Sequence, residues 1–208
     1  MLQRAYHREM DAVIAALGGK RPRLLLHSCC GPCSSACLEL LTKHFDTTVF
    51  FYNPNILPAE EFDRRLYWQS YLLEHAPFGQ GVALVVPERD EKAFRDCARG
   101  LETAPEGGAR CTECFRLRLG KTAAYAAEHG FDYFTTTLTV SPHKNAPLIN
   151  AIGEAAARDA GAVWLPSDFK KREGYHRSIE LSRAYGLYRQ SWCGCGFPEK
   201  EAPPCADD

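Results

Sequence analysis

Apolar positions along the chain alternate between two spacings, and each change of spacing coincides with a glycine, a proline or a chemically loaded turn. Residues 4 to 17 place Tyr6, Met10, Val13, Ile14 and Leu17 at helical intervals before the stop of Gly18-Gly19. After Pro22, the short run Leu24-Leu25-Leu26-His27 reads as a strand. It enters Ser28-Cys29-Cys30-Gly31-Pro32-Cys33-Ser34-Ser35, and a helical stretch then runs through Leu41. The alternation continues with a strand over Thr48 to Tyr52 and a helix from Pro58 to about Glu74. A strand over Val82 to Val86 and a helix over Glu91 to Ala98 follow.

Gly100 to Arg110, with Pro105, Gly107 and Gly108, forms a connection that delivers Cys111 and Cys114 to the start of a helix ending near His129. Phe131 to Leu138 is a predicted strand, Asn145 to Ala160 a helix stopped by Gly161, and Ala162 to Leu165 a final short strand. Five strands separated by helices predict a doubly wound, mainly parallel α/β sheet whose ligands bind beyond the carboxyl ends of the strands, where the cysteine turn lies. We expect one domain over residues 1–198 and a mobile acidic tail over 199–208.

The 208 residues, 45% of them hydrophobic, suffice for one sizeable core. A formal net charge of −1 offers a polyanion no global attraction, so a nucleic-acid partner would need a local basic surface. No apolar run approaches the roughly 20 residues of a membrane span, and no secretory core opens the chain, which predicts a soluble, cytoplasmic protein. Ten cysteines in such a chain, spaced CC, CxxC and CxC, point to metal or redox chemistry rather than a secreted disulfide framework.

Cys29-Cys30 and Cys111-x-x-Cys114 are two local thiol pairs of the kind that together ligate a four-iron cluster, and the helix start favours the thiolate form of the second pair. A four-thiolate zinc site uses similar spacing, and spacing alone leaves both open. In Cys193-Gly194-Cys195 two thiols one residue apart suit a strained, reducible disulfide, or, with Cys33, a second mononuclear metal ion beside the cluster. Two unpaired thiols in a loop are the plainer alternative. Cys37, Cys97 and Cys205 have no such neighbours and are expected to lie outside the site.

Between Ser167 and Gln190 the basic residues, including Lys170, Lys171, Arg172 and Arg177, outnumber the acidic ones and are interleaved with Tyr175, Tyr185 and Tyr188. Such a tract binds RNA phosphates and stacks unpaired bases; a solvated helix face has the same composition. His27 is expected to cap the strand end or to supply a proton near the cysteines. His143 and Lys144 are placed to meet a phosphate or ribose, or to form an ordinary exposed turn.

Five blocks in order, HSCCGPCSS, NPNILPAEEFDRR, CTECFRLRL, TTTLTVSPHKN and DFKKREGYHRSIELSRAYGLYRQSWCGCGF, resemble the QueH-type epoxyqueuosine reductases from residue 27 to 197. The resemblance implies a nucleotide-hydrolase-like α/β sheet (the HUP or PP-loop-like type), with a cysteine turn in place of the phosphate loop. It also implies two-electron removal of the epoxide oxygen of epoxyqueuosine at the tRNA wobble position, with release of water. By the same resemblance, Cys29, Cys30, Cys111 and Cys114 hold a 4Fe-4S cluster, and Cys193 and Cys195 are redox-active. With no flavin or nicotinamide fingerprint in the sequence, the electrons are expected from an external donor. Two other readings share these features: a PP-loop-like tRNA thiolation enzyme, for which the glycine-rich loop is missing after Leu26, and a non-catalytic zinc-binding RNA module.

Overall fold

The computed structural model describes residues 4–197. Four strands, β1 (Arg23–His27), β2 (Asp46–Phe50), β3 (Ala83–Val85) and β4 (Tyr133–Thr136), form an entirely parallel sheet in the order β3-β2-β1-β4. Seven helices surround it: α1 (Tyr6–Ala16), α2 (Gly31–Leu41), α3 (Ala59–His75), α4 (Glu91–Ala98), α5 (Ala109–Glu128), α6 (Ala146–Ala160) and α7 (Gly174–Ala184). None of these helices is long and apolar enough to cross a membrane.

Both faces of the sheet are covered, as parallel strands require. On β1, Leu24 and Leu26 enter one core with Leu38, Leu41, Leu72 and Met10 from α1, α2 and α3. Leu25 points the other way, into a core with Leu119, Ala123, Ile149 and Ile152 from α5 and α6. On β2, Val49 and Phe50 divide in the same manner. Two-residue alternation therefore persists in strands that read as continuous apolar runs.

The expected fifth strand is reduced to one parallel bridge, Phe134 to Trp164. Phe134 N–H donates to Val163 O at 2.9 Å and Leu165 N–H donates to Phe134 O at 2.9 Å, and the ladder stops there. The next donor in register, Ser167 N–H, goes instead to Asn150 Oδ1 of α6 at 3.0 Å. The predicted strand over 131–138 is likewise shorter, because Thr136 turns the chain into a 3-10 segment, Thr137–Val140, by accepting from Leu138 N–H at 3.2 Å. The expected tail over 199–208, and Cys205 within it, lies outside the described residues.

Helix boundaries follow local chemistry. Asn145 caps α6 by accepting from Leu148 N–H at 3.0 Å, Pro147 occupies its first turn, and Gly161 ends it in the left-handed region at φ 71°. Asp90 caps α4 by accepting from Ala93 N–H at 2.9 Å. The reversal of strand order lies between β1 and β4, so the β1 carboxyl end faces a crevice, and α2 starts there.

Gly153 lies against the Trp164 indole, where an added Cβ would come within 2.5 Å of ring carbons. Gly153→Ala should lower unfolding free energy by about 1–3 kcal/mol through overpacking, measured by urea denaturation; an unchanged midpoint would show that α6 and the Trp164 segment yield freely.

Candidate functional site

Cys30 is extended (φ −171°, ψ 153°) and stands at the N-cap of α2, so Gly31 and Pro32 are the first residues of the helix rather than a separate bend. Gly31 is required by crowding: a Cβ would sit 2.6 Å from the Trp68 carbonyl oxygen of α3. This close approach sets α2 so that the sulfurs of Cys29, Cys30 and Cys33 all lie within 4.8 Å of one another. Ser28 and Ser34 hydroxyls both donate to Gln69 Oε1, at 2.8 and 2.7 Å, and tie the turn to α3.

Cys111 and Cys114 occupy the first turns of α5. Cys111 packs against the same apolar cluster as Cys29, beside Phe115 and Tyr52, while Cys114 packs with Cys195, Phe94 and Ala98. Gly107 N–H donates to Cys111 Sγ at 3.2 Å. The CGC turn is fastened to the segment after β2: Leu57 N–H donates to Gly194 O at 2.7 Å, and Arg65 donates to Cys193 O at 3.0 Å and Trp192 O at 3.2 Å. Gly194 has φ +92°, and a Cβ there would meet the Arg65 guanidinium at 2.8 Å.

Two cations join these three segments. Arg118, 3% exposed, lies one turn past Cys114 and donates toward its sulfur at 3.9 Å; it also interacts electrostatically with Cys29 and Cys193. Lys144, part-buried on the loop before α6, faces Cys193, Cys29 and Cys33. The sulfur environments are polarised. Hydrogen bonds from Cys30 and Cys33 hold the Cys29 thiol well below the ordinary range, and the same bonds raise Cys30 and contribute to pushing Cys33 up to about 12. The Cys193 thiol similarly brings Cys195 down to about 7, while Cys193 itself is raised. Burial raises Cys111, and raises Cys114 to about 11.

His27 stands fully buried at the end of β1. Arg118, a permanent donor, points Nε–H at His27 Nε2 across 3.3 Å, which assigns the ring proton to Nδ1, 2.8 Å from Thr136 Oγ1. The other tautomer would serve the Tyr52 carbonyl, 3.2 Å away, but would set one N–H against another. Burial and the Arg118 charge push the imidazole down to about 3, so His27 is a neutral acceptor rather than a source of protons near pH 7.

The basic tract is placed apart from the cysteines except at one point. Arg172 pairs with Asp11, Arg177 with Glu39 and Glu180, and Lys170 lies 3.1 Å from Asp168. Lys171 is exposed and has no carboxylate partner among the described residues. Lys170 Nζ donates to Lys144 O at 3.3 Å and so connects the tract to the cysteine crevice. Cys37 is buried in the core, while Cys97 lies beside Cys114 and Cys195 in the same small cluster.

A family model described as epoxyqueuosine reductase QueH matches residues 24–201. The chain belongs to the QueH family. Relatives named epoxyqueuosine reductase QueH include one from Staphylococcus epidermidis, 45% identical over 183 residues, which span 86% of this chain and 77% of that protein. One from Streptococcus pyogenes serotype M1 is 46% identical over 182 residues, 86% of this chain and 71% of the relative. One from Thermotoga maritima is 33% identical over 177 residues, 84% and 88% of the two chains. The blocks that suggested the QueH family in the sequence all fall inside the matched span.

The donor set fits a sulfur-ligated metal centre. Soft thiolates select soft or borderline metals, each thiol/thiolate pair sheds its remaining proton on metal binding, and the buried cations offset the negative charge that thiolates accumulate. Arg118 was not singled out by the sequence reading, although its place at i+4 from Cys114 and i+7 from Cys111 puts it on the same helix face.

His27 makes metal-free stability fall with acid. Its folded pKa lies below the unfolded value, so the unfolded chain takes up a proton first, and stability is lost as pH falls from about 6.5 toward about 3. Between pH 6.5 and 4 this amounts to roughly 3 kcal/mol at 1.36 kcal/mol per unit. In metal-free His27→Gln the pH dependence of the urea midpoint should be flatter over that window; an identical slope would place the acid sensitivity elsewhere.

Proposed function

We propose that this protein reduces epoxyqueuosine in tRNA, removing the epoxide oxygen as water with two electrons and two protons to give queuosine. What carries the reading is the gathering of cysteines from three distant segments around Arg118 and Lys144 at the crevice of the sheet, in a chain of the QueH family. We assign Cys29, Cys30, Cys111 and Cys114 as ligands of a 4Fe-4S cluster, which when bound supplies electrons singly. Cys193 and Cys195 act as a redox-active pair or, with Cys33, hold a second metal ion. The sheet is assigned to the nucleotide-hydrolase-like type on its all-parallel order and the position of the cysteine turn.

The protein's own residues have separable tasks. Gly31 and Gly194 allow the backbone to approach α3 and Arg65 closely enough to present sulfur. The apolar packing of Phe94, Phe115 and Tyr52 excludes water behind the cysteines. Lys144 is the cation nearer solvent and orients anionic or oxygen-bearing substrate groups. Lys170, Lys171, Arg172 and Arg177 are assigned to the RNA phosphates; Arg172 and Arg177 exchange an existing carboxylate for a phosphate, so Lys171 contributes most to net affinity. An external reductant delivers the electrons in the cytoplasm.

Anaerobic reconstitution with iron and sulfide, followed by mass analysis of nucleosides from epoxyqueuosine-containing tRNA, tests cofactor and reaction together. Cys111→Ser should lose the visible absorption of the cluster and all turnover, and Cys205→Ser should keep both; a Cys111→Ser protein with both signals removes the ligand assignment. Zinc uptake without iron or sulfide would instead support an RNA-binding zinc module. Lys171→Ala should weaken tRNA binding several-fold at low salt and reduce the slope of log affinity against log salt by about 1. A slope equal to that of the parent protein would move the RNA surface away from this tract.

A further inference from the structure

Arg65 and Arg118 are buried to nearly the same degree, and of these two only Arg65 has an acidic partner among the described residues. Arg65, 2% exposed, pairs with Glu61 at 2.7 Å. Arg118, 3% exposed, donates to His27 Nε2 at 3.3 Å, to Asn53 Oδ1 at 2.8 Å and toward Cys114 Sγ at 3.9 Å, and no carboxylate lies within ion-pair distance among the described residues. Asn53 is itself fixed, its Nδ2–H donating to Ser28 O at 2.8 Å. Lys144 also lacks a carboxylate partner among the described residues; the groups that face it are Cys193, Cys29 and Cys33, with Arg118 as a like charge. Leaving a buried ion uncompensated costs several kcal/mol, so Arg118 beside a set of sulfurs calls for negative charge on those sulfurs, and the part-buried Lys144 adds to that demand.

We propose that Arg118 and Lys144 are positioning residues whose positive charges retain the anionic sulfur-ligated centre and raise its reduction potential. This rests on the cluster assignment above. One electron taken from added dithionite increases the negative charge of the centre by one, and a neighbouring cation stabilises the reduced form more than the oxidised form. Arg118 acts from inside: its donors are fixed by His27, Asn53 and Cys114, and guanidinium does not lose its proton in proteins. Lys144 acts from the crevice side, where water screens it, and contributes less.

The test uses the full chain reconstituted anaerobically, with iron and sulfide content and the midpoint potential, followed by visible absorption, as readouts independent of turnover. Arg118→Gln, which keeps hydrogen-bonding capacity without charge, should shift the midpoint to more negative potential and lower retained iron at least about twofold after gel filtration against a chelator. Arg118→Lys should restore most of both properties. Lys144→Gln should shift the midpoint in the same direction by less, and Lys144→Arg should not. Parental potential and iron content in both glutamine variants would overturn the proposal, as would an Arg118→Lys protein shifted as far as Arg118→Gln, which would show that shape matters and charge does not. If Arg118→Gln fails to fold, the comparison of Lys144→Gln with Lys144→Arg decides. A parental chain that takes up no iron and sulfide overturns the cluster assignment and this proposal with it, whereas a loaded parental chain with unresponsive variants overturns this proposal alone.

Discussion

A positive charge withdrawn from water must be answered by negative charge nearby, and at Arg118 the candidates among the described residues are sulfur atoms. That constraint organises the carboxyl edge of the sheet. Several thiolates in one crevice repel one another, and a guanidinium buried alone is equally unfavourable; placed together, each removes the other's penalty. The surroundings conform to this pairing. His27 takes up an N–H as a neutral ring, Asn53 accepts another as a neutral amide, and neither competes with sulfur for the positive charge.

Much of this was legible in the chain because the relevant spacings are short. The run Leu24–His27 and the CC turn after it announce a strand that ends in chemistry. Cys111, Cys114, Phe115, Arg118 and Leu119 lie on one stripe of a helix, half of it packing and half of it site. Arg118 escaped notice because an arginine in a helix is ordinarily a solvated residue, and only tertiary burial makes it exceptional. Lys144 reads in the sequence as a group for phosphate or ribose, and the fold adds Cys193, Cys29 and Cys33 to what it faces.

What the sequence leaves out has equally local causes. Ala162 to Leu165 has the composition of a strand, but Asn150 of α6 takes the Ser167 N–H that would continue the ladder, and Val163 remains exposed. The basic excess between Ser167 and Gln190 is partly cancelled by Asp11 and Glu39, which belong to α1 and α2 and are invisible to any count within the tract. Cys97 had no close cysteine in sequence, but α4 packs against the start of α5 and sets it beside Cys114 and Cys195. Charge and thiol inventories taken by window miss partners that the fold imports from elsewhere.

Because β1 is central, its pairings reach to β2 nearby and to β4 across 109 positions, and Arg65 fastens the CGC turn across 128. Closing such wide spans costs stability only logarithmically, but it delays assembly. In any form in which these spans are not yet closed, the vicinal thiols meet solvent, where a peroxide would oxidise one of them to sulfenic acid and itself be reduced to water. The long closures that build the crevice are thus also what shields its thiols.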